Sequence, residues 1–372
     1  MSNRQIKKLL IANRGEIAVR IVRACAEMGI RSVAIYTEPD RYGLFVKRAD
    51  ESYSLGEDPL AGYLNPARIV NLAVETGCDA LHPGYGFLSE NPELARLCEE
   101  KNIAYVGPSS EVIHRMGDKT EARSAMTQAG VPVTPGSDGN LANIEEALVQ
   151  AERVGYPVMI KATSGGGGRG IRRCDDAEDL KSQYPRVISE ATKAFGSAEV
   201  FLEKCIINPK HIEVQVLGDS QGNVVHLYER DCSIQRRNQK LIEIAPSPQI
   251  SEEQRSYLGE MAVAAARYVG YESAGTVEFL LSGEDIYFME MNTRIQVEHT
   301  ITEQITGVDI VREQIRVAEG KELSYKQEDI SYRGYAMQFR INAEDPKNDF
   351  LPSFGRITHY YAPGGPGVRV DT

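Results

Sequence analysis

The sequence predicts an α/β protein of more than one domain, and three stretches carry that prediction. Between residues 7 and 106, short apolar runs alternate with amphipathic segments, the pattern of a parallel sheet flanked by helices. From Lys161 to Ile171, KATSGGGGRGI, a glycine run lies between two extended segments. From Thr276 to His299, TVEFLLSGEDIYFMEMNTRIQVEH, carboxylates punctuate an apolar hairpin. At 372 residues the chain also exceeds what a single core usually holds.

In the first stretch, residues 7–12 read as a strand, Asn13–Glu16 as a tight turn and Ile17–Met28 as an amphipathic helix stopped by Gly29. Arg31–Tyr36, Asp79–Leu81 and Ile103–Val106 read as strands, Pro66–Glu75 and Pro92–Lys101 as helices. The turn NRGE has one glycine where a dinucleotide fingerprint needs three, so it is weak evidence for such a site. His82–Glu90, HPGYGFLSE, follows a strand, where ligand loops of open α/β sheets lie, but its composition favours a plain turn with buried aromatics. Turn residues at Gly107–Ser110 close this unit.

Val158, Met159 and Ile160 read as a buried strand leading to Lys161, and Ile171–Arg173 resume extended character before Asp175 and Asp176 offer helix caps. The glycines therefore lie in a strand-to-strand flap. A Walker loop instead runs its glycines through Gly-Lys-Ser/Thr into a helix. In a flap, backbone N–H groups approach phosphates because no Cβ intervenes, and Lys161 and Arg169 add charge. A flexible linker could have the same glycines but has no reason to resume a strand at once.

Lys119 opens an Ala-rich helix reaching Gly130 and, by itself, is an ordinary surface lysine. A helix is expected over 177–194 and a strand over 199–204. His211, Glu213 and Gln215 alternate with Ile212, Val214 and Val216, so this strand has a polar face toward either a cleft or solvent. Asp219–Asn223 is its hairpin turn and Val224–Glu229 the return strand. Arg236, Arg237 and Lys240 fall close together in an acidic chain and read, beside a phosphate flap, as an anion site.

In the hairpin, period two puts Glu290 and Asn292 on one face. Glu278 joins them only if it lies opposite Glu290, which requires an odd loop such as Gly283–Asp285 joining Ser282 to Ile286. Two carboxylates and an amide oxygen then form a hard oxygen site suited to Mg²⁺ or Mn²⁺. Surface glutamates are the alternative, but Phe279, Leu280, Phe288 and Met289 are poor company for them. Arg294, Gln296 and Glu298 follow at a spacing of two in what reads as an extended segment, a guanidinium for a small oxyanion and a carboxylate to take its proton.

The formal net charge of −11 argues against nonspecific nucleic-acid binding, which needs a basic footprint. Cys25, Cys78, Cys98, Cys174, Cys205 and Cys232 show no paired or metal-ligand spacing and are expected to be reduced and mostly buried. The apolar run near the N-terminus is too short for a signal peptide or a membrane span, so a cytoplasmic protein without membrane association is expected.

Lys119, Lys161 with its flap, Glu203, His211, Glu278, Glu290, Asn292 and NTRIQVEHTITE together resemble the ATP-grasp ligases. More narrowly, ANRGEIAVRI, HPGYGFLSEN, RDCSIQRR, EMNTRIQVEH and FRINAEDP resemble the biotin carboxylase subunits or domains of biotin-dependent carboxylases, over essentially the whole chain. The resemblance implies an N-terminal parallel α/β (pre-ATP-grasp) domain at 1–114, an ATP-grasp domain at 115–330 with a glycine-rich lid at about 132–203, and the start of an α+β C-terminal lobe at 331–372, apparently truncated.

It further implies that Lys119, Lys161, Gly165, Gly166, Gly167, Gly168, His211, Gln235 and Asn238 contact ATP, with Glu203 and Ile206 at the adenine edge. Glu278, Glu290 and Asn292 would hold two divalent ions, and Lys240, Arg294 and Val297 would bind bicarbonate. Glu298 would be the base that deprotonates bicarbonate, and Arg340 would stabilise the biotin enolate. Flap closure would shield carboxyphosphate from water. Asn238 stands where many members carry histidine, and Phe354 where proline is usual. No Met-Lys-Met stretch occurs, so biotin is expected on a separate carrier protein or elsewhere on the polypeptide, with a carboxyltransferase as further partner and a homodimer at full length. A noncatalytic nucleotide-binding fragment and another bicarbonate-phosphorylating ATP-grasp ligase, of the carbamoyl-phosphate type, stay open as alternatives.

Overall fold

The computed structural model describes residues 4–137, 139–163 and 170–372. The expected phosphate contacts at Gly165–Gly168, and Arg169 beside them, lie outside the described residues.

The first unit runs β1 (Lys8–Ile11), α1 (Gly15–Met28), β2 (Arg31–Tyr36), α2 (Leu44–Arg48), β3 (Glu51–Ser54), α3 (Pro66–Glu75), β4 (Ala80–His82), α4 (Pro92–Glu100) and β5 (Ala104–Tyr105). Its five strands are parallel in the order β3-β2-β1-β4-β5. Asn65 and Asn91 cap α3 and α4, each followed by a proline that suits the first helical turn. The strand order reverses between β1 and β4, so the loops after those strands form the crevice where such sheets hold ligands. Asn13, after β1, stitches the two loops by donating to the carbonyls of Pro83 and Tyr85 at 2.7 and 2.8 Å. Gly84 makes that approach possible: its φ is +65°, and a Cβ there would come within 2.9 Å of the Asn13 amide. No sequence pattern announces α2 or β3, since LFVKR is barely one turn and ESYS has no fully buried residue.

Helices α5 (Ser110–Gly117) and α6 (Lys119–Gln128) lead onward, with Asp118 capping α6 by accepting from Thr120 and Glu121 N–H. A small antiparallel sheet follows, built from α7 (Ile144–Val154), β6 (Val158–Ala162), β7 (Ile171–Cys174), α8 (Ala177–Phe195) and β8 (Val200–Lys204). Its order is β7-β6-β8, with Lys161 opposite Ile171, so the glycine run connects two paired strands as expected. Asp176 caps α8.

A large antiparallel sheet comprises β9 (Lys210–Gly218), β10 (Val224–Arg236), β11 (Gln239–Ala245), β12 (Ser273–Ser282), β13 (Asp285–Asn292) and β14 (Ala336–Phe339), in the order β13-β12-β9-β10-β11-β14. The capped helix α9 (Glu252–Tyr268) packs on β9 and β10 through Leu258, Ala262 and Ala265. Helices α10 (His299–Thr306) and α11 (Ile310–Ala318) follow β13, and a short pair, β15 (Glu344–Asp345) and β16 (Leu351–Pro352), follows β14.

Two expectations need correction. Glu278 does lie opposite Glu290, but the loop is even: Gly283 and Glu284 join the paired Ser282 and Asp285, with Gly283 at φ +63°. The odd residue is Met289, a bulge between the Glu278–Glu290 and Phe279–Phe288 pairs. Secondly, 293–298 is a series of bends and a turn, not an extended segment, and Glu298 is the N-cap of α10.

Candidate active site

Every site residue expected from the sequence, outside the glycine run, lines one cavity of about 900 Å³. Lys119 enters from α6, Lys161 from β6, and Glu203 and Ile206 from β8 and the loop after it. His211, Gln235, Asn238 and Lys240 come from the β9–β10–β11 face, Glu278 from β12, and Glu290 and Asn292 from β13. Arg294, Val297 and Glu298 follow β13, and Arg340 follows β14. The polar face of β9 thus turns to the interior: His211 borders the cavity, while Glu213 and Gln215 are fully buried behind it.

Lys240 organises the floor. Its ammonium lies 2.9 Å from Glu278 Oε1 and 2.9 Å from Glu298 Oε1, and it also donates to Glu213. Burial would lower its pKa, but Glu213, Glu278 and Glu298 together hold it far above the usual lysine range. Burial would raise Glu278; Lys240 and the hydrogen bond from His211 Nε2 at 2.5 Å instead hold it well below the carboxylate range. The same bond raises His211 against the opposing effect of its burial. Glu298 is clamped from the other side by Arg340 Nη2 at 2.9 Å, whose Nε donates to Glu243 at 2.6 Å. A carboxylate facing the cavity between two cations is fixed in direction, as a proton acceptor must be.

Beneath the floor lies Arg230, 0% exposed, its fork donating to Glu213 at 2.5 Å, Gln215 at 2.8 Å, Thr302 at 2.9 Å, Thr276 at 3.2 Å and Gln296 at 2.8 Å. Sequence reasoning gave it no role, because it stands between Glu229 and Asp231 in a charged stretch that carries no sign of burial. It also missed Glu90, which accepts from Arg294 Nε at 2.9 Å and so brings the β4 loop to the site. That loop, expected to be a plain turn, contributes Tyr85 and Gly86 to the cavity wall. The expected anion cluster is split: only Lys240 borders the cavity, while Arg236 and Arg237 turn outward to Glu344 and Asp349.

Sequence comparison places this constellation. Residues 5–113 match the biotin carboxylase N-terminal domain, 118–326 the ATP-binding domain of carbamoyl-phosphate synthase L chain, and 338–372 the biotin carboxylase C-terminal domain. The chain is 55% identical to biotin carboxylase 1 of Bacillus subtilis over 99% of its own length and 82% of the relative's. The chain belongs to the biotin carboxylase family. As a biotin carboxylase it is an ATP-dependent ligase of the ATP-grasp type. It is also 59% identical to the small subunit of 2-oxoglutarate carboxylase from Hydrogenobacter thermophilus, over 98% of this chain and 78% of that one.

Solved biotin carboxylases share the fold. The biotin carboxylase domain dimer of the H. thermophilus enzyme, in complex with MgADP, ADP and bicarbonate, superposes with a TM-score of 0.95 at 58% identity, over 99% of this chain and 82% of that one. The Campylobacter jejuni biotin carboxylase in a β,γ-ATP complex gives 0.95 at 50% identity, over 98% and 82%. Among the described residues, no helix is long and apolar enough to cross a membrane.

The donor set fits a divalent cation. Burial, and then the charge of Glu278, raises Glu290, with Lys119 only partly opposing, so Glu290, in register opposite Glu278, lacks sufficient positive charge. Asn292 Nδ2 donates to Glu278 at 2.8 Å, while its oxygen accepts from Arg294 at 2.8 Å, which orients that oxygen. All six cysteines are free and buried, as expected.

Proposed function

We propose that this chain catalyses the first half-reaction of a biotin-dependent carboxylase, ATP-dependent carboxylation of carrier-bound biotin by bicarbonate. The observation that carries the reading is Glu298, a buried carboxylate facing the cavity between Lys240 and Arg340. A nucleotide-binding module has no use for such a group.

In this assignment Lys119, Lys161 and His211 meet the phosphates, Glu203 and Ile206 the adenine edge, and Gln235 and Asn238 the remaining nucleotide. Glu278, Glu290 and Asn292 would hold Mg²⁺ or Mn²⁺, two ions in all, which neutralise polyphosphate charge when bound. Arg294, Val297 and Lys240 seat bicarbonate, and Glu298 takes its proton. The bicarbonate oxygen then attacks the γ-phosphorus, the bond to ADP breaks, and carboxyphosphate forms. Its cleavage gives CO₂ and phosphate, the phosphate takes the proton of the biotin ureido nitrogen, and that nitrogen attacks CO₂. Arg340 compensates the negative charge on the biotin ureido oxygen. Charge spreads over phosphoryl oxygens in the transition state, so fixed lysines in a low-dielectric cavity contribute most of the protein's stabilisation.

The proposed domain division is 1–114, 115–330 with a lid at about 132–203, and 331–372. Its partners are a biotin carrier protein, a carboxyltransferase and a second copy of the chain, in the cytoplasm. The test is ADP release from ATP, bicarbonate and Mg²⁺, with and without free biotin. Biotin-stimulated release that Glu298→Gln abolishes is expected. Nucleotide binding without stimulation would instead favour a noncatalytic subunit, and biotin-independent bicarbonate phosphorylation a carbamoyl-phosphate type of ligase.

A further inference from the structure

Arg123 lies one helical turn beyond Lys119 on α6, and this i, i+4 spacing puts both side chains on the cavity wall while Ala122, Ala125 and Met126 are buried behind them. Its Nη1 donates to Glu203 Oε1 at 3.1 Å. The other oxygen of the same carboxylate, Oε2, accepts from Lys161. Arg123 and Glu203 are 19% and 14% exposed at their side chains, so the pair is shielded from bulk water. One carboxylate is thus shared between two cations, of which only Lys161 is assigned to the nucleotide.

That sharing creates a conflict. A polyphosphate arriving at Lys161 competes with Glu203 for the ammonium, and the less compensated carboxylate is a negative charge beside an anionic ligand in a poorly solvated pocket. Arg123 offsets this cost because its guanidinium remains on Glu203 whichever partner Lys161 takes, and an arginine stays charged throughout.

We propose that Arg123 is a positioning residue of the nucleotide site, the standing counter-ion of Glu203 that releases Lys161 to the phosphates. The inference rests on the functional reading above. It predicts an effect on nucleotide affinity that depends on the charge of Glu203, which a merely structural role for Arg123 would not show.

The experiment is a double-mutant cycle on the full chain with Arg123→Met, Glu203→Gln and the pair, reading KM for ATP, kcat and the KM for bicarbonate and for free biotin. Arg123→Met is expected to raise KM for ATP roughly tenfold, the size of about one lost charge interaction, with kcat and the other two KM values within twofold. In the Glu203→Gln background the same substitution should change KM for ATP by less than twofold, because no carboxylate then competes for Lys161. Arg123→Lys should recover most of the affinity, and circular dichroism with thermal melting identifies a variant that has not folded. Equal losses in both backgrounds, or an unchanged KM for ATP in folded Arg123→Met, would overturn the proposal while leaving the carboxylase reading intact. A wild-type chain that neither binds ATP nor responds to biotin would sink both.

Discussion

Removing the ammonium of Lys240 would leave Glu213, Glu278 and Glu298 facing one another in a buried site, with Arg230, Arg340 and the imidazole of His211 as remaining partners. Breaking a buried ion cluster by deleting one partner typically costs about 3–5 kcal/mol, since the surviving charges are uncompensated. Lys240→Met is therefore expected to unfold at lower denaturant and to lose that much stability at neutral pH. The pH dependence separates this from lost packing. Glu213 and Glu278 titrate below the usual carboxylate range, so in the wild type they add stability above the unfolded pKa, and it is lost as pH falls through their lowered folded values. Without Lys240, burial and mutual repulsion push them above the unfolded pKa, so they destabilise at pH 7 and do so less as they take up protons. Urea melts should show a deficit that shrinks between about pH 7 and pH 5.5; a constant deficit would show that packing, not charge, was lost. The residues of this cluster that were legible in the sequence carried chemistry at recognisable spacings. Arg230 and Glu90 were not, because their roles depend on strands and loops meeting from distant parts of the chain.

On the β12–β13 hairpin, the sequence implied that Glu278 and Glu290 must be opposite, yet the means was hidden. An odd loop and an even loop with a bulge place these residues identically, and nothing in SGEDIYFME distinguishes them until Ser282 is seen paired with Asp285. Putting the extra residue at Met289 bends the strand beside the cavity and keeps the tip a two-residue turn at Gly283. Deleting Met289 makes the ladder regular and, because Phe288 still pairs with Phe279, leaves Glu290 opposite Glu278 with Asn292 two residues on, on the same face. The expected result is a chain that keeps its α/β circular dichroism spectrum and its stabilisation by Mn²⁺ in thermal melts. Loss of Mn²⁺ stabilisation in a folded deletion variant would show that the bend at Met289, beyond the pairing of Glu278 with Glu290, aims the cation site. The segment after the hairpin teaches the converse. Arg294, Gln296 and Glu298 do converge, but through bends, so a correct set of residues came with an incorrect geometry.

Across the whole molecule, the parallel sheet and the antiparallel sheet share one core, where Ile17 and Ile21 of α1 belong to the same cluster as Ile310, Val311 and Ile315 of α11. Alternation in the first hundred residues made the parallel sheet legible, and period two did so for β9 and for Glu290 and Asn292 on β13. The meeting of the two units was not legible, because it is written in helix faces that any pair of amphipathic helices could share. His82 sits at this junction, at the end of β4, fully buried, with Nδ1 accepting from Gly84 N–H at 3.0 Å. Burial, against a partly opposing contact from Gln314, pushes its pKa down from the usual 6.5 to about 3. His299, also buried nearby, is lowered in the same direction. A histidine with a lowered folded pKa is neutral in the native state while the unfolded chain takes up a proton, so its contribution is complete above about pH 6.5 and drains away as pH falls toward 3. Each such group contributes a slope of at most about 1.4 kcal/mol per pH unit in that window. His82→Gln keeps an acceptor for Gly84 but cannot titrate. Its stability, whatever its value at pH 7, should fall less steeply between about pH 6.5 and pH 5 than that of the wild type in equilibrium urea melts. Parallel stability curves would mean that acid weakens the molecule elsewhere, through the carboxylate clusters, and that the junction of the two sheets is indifferent to the protonation of His82.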